Sequence, residues 1–229
     1  MEIIILVEGH TEKRFCDGVL KPYLEVKNIF LKAVLIDTKS TPTGPNQKGG
    51  ITNYEKQVRL ELKRHLNNNN PNLGLISTMF DLYRLPKDFP MYEKSRNTRD
   101  PYERVRFLEE SLKSSLENDG MNINKFIPYL QLHEFEAFMF VDSAKTLEKL
   151  MNTDQEQKKR YEKIIRQYEN PELINSDKGP SVHMKEIFSE SFQKSTIGFS
   201  IAESIGLNTL RTKCRHFHEW LEKLERISG

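Results

Sequence analysis

Residues 3–7 read Ile-Ile-Ile-Leu-Val, a run without one polar position, and Glu8-Gly9 ends it. A strand that alternates apolar and polar residues can rest one face on solvent, but this run cannot. It needs cover on both faces, as the central strand of a parallel sheet has. Such a sheet requires crossover connections, so the rest of the chain should alternate helices with strands.

The following residues meet that demand. Phe15, Val19, Leu20 and Leu24 recur near helical spacing, with Pro22 marking a kink or an end. A second strand is expected over about Phe30 to Ile36. Asp37 to Gly50, rich in Thr, Pro, Gly and Asn, reads as a loop long enough to serve a site. Asn53 to Leu66 is an amphipathic helix on Val58, Leu62 and Leu66, stopped by the Asn67–Asn70 run and Pro71. Leu73 to Phe80 is a third strand that delivers Asp81. Asp88 to Pro101 reads as an exposed loop, Tyr102 to Leu116 as a helix, Lys125 to Leu132 as a fourth strand, and Glu134 to Phe140 as the start of another helix. The expected fold class is α/β, a mostly parallel sheet flanked by helices. Residues 1–142 form the core, and 143–229 form a helical extension packed on it.

In open α/β sheets, ligands bind beyond the C-terminal ends of the strands. Three strands place acids there: Glu8 after the first, Asp81 after the third, and Glu134 with Glu136 after the fourth. An oxygen-rich set of this kind suits Mg²⁺ or Mn²⁺. Each acid also has a plain structural role open to it. Glu8 can complement a helix dipole, Asp81 can be a turn residue, and Glu134 with Glu136 can be a first-turn acidic pair. If their segment is helical, Glu134 and Glu136 lie about 200° apart and only one faces the site, for which Glu136 is favoured. If it is extended, both can.

Arg84 and His133 stand close by in sequence. Arg84 can hold a phosphate with its bidentate fork or lie solvated, and His133 can act as a base or as a structural histidine. Lys48 sits in the glycine-bearing TGPNQKGG segment, which lacks the Walker pattern but offers amides to a phosphate. Arg211 opens a basic run with Lys213, Arg215, His216 and His218, available to a nucleic-acid backbone or to solvent, while Trp220, Leu221 and Leu224 supply the buried side.

Charge does not decide the partner, because 35 basic residues face 33 acidic ones and binding needs only a local basic face. The two cysteines, Cys16 and Cys214, form no CxxC pair, so a zinc ribbon is not expected and a reducing, cytoplasmic setting is. No stretch reads as a signal peptide or a membrane span.

The segment VEGHTEKRF resembles the first motif of Toprim domains, which occur in topoisomerases, primases, OLD-type nucleases and RloB-like proteins. Over nearly its whole length, in VEGHTEKRF, GGITNY, FDLYRLPKDFP, FIPYLQLHEFEAFMF, NPELIN and IGLNTLRTKCRHFHEWLEKL, the chain resembles a family of Toprim-like proteins with no settled activity. The resemblance implies a Toprim-like core in which Glu8 is a general acid/base or metal ligand, Asp81 a ligand, and a later acid, Glu136 or Glu134, the third. Toprim domains carry D-x-D in their second motif, whereas this chain has Asp81-Leu82-Tyr83, which leaves one or two metals open. The implied function is a divalent-metal-dependent nuclease acting on DNA or RNA, in defence against phage or foreign DNA, beside an AAA/ABC-type ATPase partner. The alternatives are a non-catalytic sensor or adaptor that binds such an ATPase, and phosphoryl transfer on a small substrate.

Overall fold

The computed structural model describes residues 1–36, 50–150, 152–168, 170–174, 178–188 and 194–228. Its centre is a sheet in which every strand pair among these residues is parallel. The strands are β1 (Glu2–Val7), β2 (Phe30–Leu35), β3 (Leu73–Asp81) and two short pieces, β4 (Phe126–Ile127) and β5 (Leu130–Gln131). They run in the order β2-β1-β3-β4, with β5 also on β3. The apolar run is therefore central, as expected. Ile3, Ile5 and Val7 enter one apolar cluster, and Ile4 and Leu6 enter another on the opposite face.

Helices cover both faces. On the first, α1 (His10–Phe15) passes through a widened π-helical turn, Cys16–Leu20, into α2 (Lys21–Glu25). The wide turn directly precedes Pro22, whose missing N–H and ring a tight helix interior does not tolerate. On the second, a π-helical turn (Tyr54–Arg59) leads into α3 (Leu60–Leu66), started by the Asn53 side chain, which accepts a bond from the Lys56 amide at 2.8 Å. The 88–101 stretch is less open than expected, because it contains α4 (Tyr92–Ser95). It leads to α5 (Pro101–Asn118), which Asp100 caps and Pro101 opens.

The fourth strand differs from its expected form. Pro128 has no N–H to give the ladder, and pairing breaks between β4 and β5. The Thr78 hydroxyl fills the gap, accepting from the Tyr129 amide at 2.9 Å and donating to the Tyr129 carbonyl at 3.0 Å. The segment after it is a 3₁₀ helix, Phe135–Phe140, and not the start of an α-helix.

The remaining helices are α6 (Ser143–Lys149), α7 (Gln155–Gln167), α8 (Pro180–Phe188), α9 (Lys194–Ile205), α10 (Leu207–Lys213) and α11 (Arg215–Glu225). The larger apolar cluster takes residues from both sides of position 142, Ile3 and Phe15 alongside Phe217 and Trp220. Trp220 stacks on Tyr129 at 4.3 Å and donates its indole N–H to the Ser77 hydroxyl of β3 at 2.9 Å. Glu172, fully buried, accepts the His216 and Phe217 amides at 3.0 and 3.1 Å and so caps the start of α11. None of the described helices is long and apolar enough to cross a membrane.

Candidate acidic site at the strand ends

Register decides which acids meet. Val7 lies opposite Leu35 on one side and Met79 on the other, so Glu8 stands level with Phe80, one step short of Asp81 on the adjoining strand. Strands are about 4.8 Å apart and rise about 3.3 Å per residue, so these two backbones lie side by side at one edge. Asp81 in turn pairs with Gln131, which places the Leu132–Glu136 turn at that same edge.

Two bonds clasp this turn to the end of β3. The Phe135 amide donates to Asp81 Oδ1 at 2.9 Å, and the Tyr83 amide donates to the His133 carbonyl at 3.0 Å. The carboxylates are withdrawn from solvent: Glu136 is 0% exposed, Asp81 2%, Glu134 6% and Glu8 8%. Gly50 closes over Glu8, and a Cβ there would stand 3.3 Å from its Oε1. A larger residue would press on the carboxylate.

Arg84 reports their convergence. Partial burial alone would weaken its hold on a proton. Attraction to Asp81, then Glu8, Glu136 and Glu134, outweighs this and raises its pKa above the ordinary arginine value. One guanidinium thus feels all four acids named from the sequence.

The two glutamates of the turn part ways, as the 3₁₀ geometry requires. Glu134 is extended, at φ −151° and ψ 156°, and both its oxygens are taken by Ser181 at the start of α8. The Ser181 amide donates to Oε2 at 2.9 Å and its hydroxyl to Oε1 at 2.8 Å. Glu136 lies within the 3₁₀ turn and is the deepest of the four. Glu12, in the first turn of α1 and packed against Gly9, is a further buried acid that sequence reasoning passed over.

The other expected contacts fall in different places. Lys48 lies outside the described residues. Arg211 is held inside the molecule: it donates to Glu225 at 2.9 and 3.1 Å and to the Tyr23 hydroxyl at 2.7 Å. His133 is buried at 4% exposure with left-handed backbone, φ +63°. Burial, reinforced by the nearby Arg104 charge, pulls its pKa from the ordinary 6.5 down to about 4, so it is neutral near pH 7.

Oxygen donors of this kind fit a hard divalent ion. Burying several carboxylates close together is costly unless positive charge joins them. Among the described residues, however, no three His, Cys, Asp or Glu side chains are drawn into a ready-made metal cluster.

The fold and the site define a parallel α/β protein with buried acids at the C-terminal edge of its sheet. The chain belongs to the family described as Domain of unknown function (DUF4276), whose model matches residues 7–225. Among solved structures it is similar to the C-terminal region of the Burkholderia pseudomallei OLD protein, at 16% identity and a TM-score of 0.48, over 99% of this chain and 98% of that one. It is also similar to the C-terminal region of the Xanthomonas campestris pv. campestris OLD protein, at 15% identity and a TM-score of 0.46, over 99% and 95%. None of the curated proteins matches the chain.

Proposed function

We propose that the chain is a divalent-metal-dependent nuclease that cuts nucleic-acid phosphodiesters, in defence against phage or other foreign DNA and beside an AAA/ABC-type ATPase. The observation that carries this reading is the burial of Glu8, Asp81, Glu134 and Glu136 at one edge of the sheet, where Val7 lies opposite Met79 and Asp81 opposite Gln131. The Toprim-like VEGHTEKRF segment, which supplies Glu8, adds to it.

Glu8, Asp81 and Glu136 are the groups that would hold Mg²⁺ or Mn²⁺. Such an ion, when bound, supplies Lewis-acid polarisation of a phosphate and an acidified water. Asp81 is oriented for this by the Phe135 amide. Glu134 serves the same edge indirectly, by tying the turn to α8. Arg84 is placed to meet a phosphate whose charge adds to that of the acids. His133, neutral near pH 7, can accept or donate a single hydrogen bond without adding charge.

The test is cleavage of single- and double-stranded DNA and of RNA with Mg²⁺ or Mn²⁺. Glu8→Gln, Asp81→Asn and Glu136→Gln proteins that remain folded should each lose activity by about 10²-fold or more. Retained cutting by all three rejects the proposal. The adaptor reading is favoured by one feature: an exposed Tyr83 stands where D-x-D has its second acid. Co-purification of an ATPase that survives all three substitutions, without cleavage, would establish it.

A further inference from the structure

A recess opens next to the clasp between β3 and the Leu132–Glu136 turn, whose Tyr83 and His133 both line it. It has a volume of about 550 Å³, within the range of ligand-binding pockets. Tyr83 and Lys87 line it from the stretch after β3, Tyr92 and Arg96 from α4, Arg104 from α5, and His133 from the turn. A smaller recess of about 270 Å³ shares Arg104 and His133 and adds Arg99.

Its chemistry is cationic and aromatic. Arg96 is matched by Glu93 at 3.4 Å. Among the described residues, Lys87, Arg99 and Arg104 make no ion pair. Among the described residues, Arg104 hydrogen-bonds through its Nε alone, to the Ser95 hydroxyl at 3.3 Å, with its guanidinium 6.0 Å from the Tyr92 ring centroid. Its two terminal nitrogens remain for a bidentate anion. His133 borders both recesses, and neither ring nitrogen has a hydrogen-bond partner among the described residues. A buried imidazole left this way, on a backbone that favours Gly or Asn, calls for a ligand. Tyr83 is 55% exposed at the rim, a face on which an unpaired base can stack.

We propose that this recess is a subsite for one nucleotide of a single-stranded nucleic acid, its phosphate on Arg104 and Lys87 and its base on Tyr83. The inference rests on the reading that the chain acts on nucleic acid, and it adds what that reading leaves open: a preference for unpaired strand. Asp81 stands two residues before Tyr83, and Glu134 follows His133. The recess therefore adjoins the two stretches that carry these acids. His133 completes the subsite with ring nitrogens that can hydrogen-bond the phosphate or the base edge.

The test uses the full chain in EDTA, so that cleavage plays no part. Binding of a fluorescein-labelled oligo(dT) dodecamer, and of its oligo(rU) counterpart, is read by anisotropy across salt concentrations. Tyr83→Ala should weaken binding about tenfold. Lys87→Gln and Arg104→Gln should each lower the salt slope by about one. Tyr83 and Lys87 are exposed, so those two variants keep the test valid if Arg104→Gln fails to fold. Affinity for a blunt duplex should not change in Tyr83→Ala. The proposal is overturned if Tyr83→Ala and Lys87→Gln both bind like the parent. It is equally overturned if inorganic phosphate alone shifts the His133 ring resonances while the oligonucleotides leave them in place. Absence of Mg²⁺- or Mn²⁺-dependent cleavage by the parent, with this binding intact, would count against the nuclease reading alone.

Discussion

Replacing Glu134 separates an acid that holds the site together from the acids that would work in it. Its carboxylate takes two bonds from Ser181, at 2.9 and 2.8 Å, at the N-terminal end of α8, and it is 6% exposed. Hydrogen bonds to charged groups contribute about 1.5–3 kcal/mol each, and removing the acceptor leaves a buried amide unsatisfied. The two bonds share one serine, so their losses do not simply add, and Glu134→Ala should cost about 3 kcal/mol. Glu134→Gln keeps an acceptor oxygen but loses the charge at the helix start, and should cost about 1 kcal/mol. For a domain of this size, the alanine variant should melt about 6–12 °C lower. Urea unfolding followed at Trp220, the single tryptophan and buried, gives the free energies directly. The midpoint should fall while the slope stays constant. An alanine variant within about 0.5 kcal/mol of the parent, the range of ordinary surface changes, would refute the reasoning.

Further outcomes follow from other buried groups. His133 has a folded pKa of about 4, below the 6.5 of an unfolded histidine, so the unfolded chain binds the extra proton as pH falls. Stability from this group is complete above about pH 6.5 and is lost toward pH 4, up to about 3 kcal/mol. His133→Asn, which tolerates the left-handed backbone, should flatten that part of a urea-unfolding pH series. Glu172→Ala strands the His216 and Phe217 amides and the Tyr102 hydroxyl, and should cost about 3 kcal/mol or more in thermal melts. Burial pushes both the Cys16 and Cys214 thiols up, so neither should react with a thiol reagent at pH 8 until denaturant is added.

The central strands were legible because a strand covered on both faces leaves an unbroken apolar run, and Ile3–Val7 is one. The glycine after Glu8 and the end of the 73–81 run fixed where two of the acids emerge. Glu134 and Glu136 were harder, since their directions depend on whether the turn is helical, extended or 3₁₀, and spacing alone does not choose. The break at Pro128 was present in the residues but passed over, because apolar character masked the missing donor. The cationic recess was not legible. Its parts lie in the 82–104 stretch and at His133, and only the closure of β5 on β3 brings Arg104 to the histidine. Arg211 shows the converse: its basic run was visible, but spacing alone did not show that Glu225, on the next helix, and the distant Tyr23 hydroxyl hold its guanidinium.

The most direct measurement is anomalous scattering from crystals of the full chain soaked in Mn²⁺. The account predicts a manganese peak at the strand ends, with carboxylate oxygens of Asp81 and of Glu8 or Glu136 at about 2.1–2.3 Å and Glu134 still on Ser181. A well-ordered site with no peak at saturating Mn²⁺, or a peak held only by residues away from this edge, would contradict it.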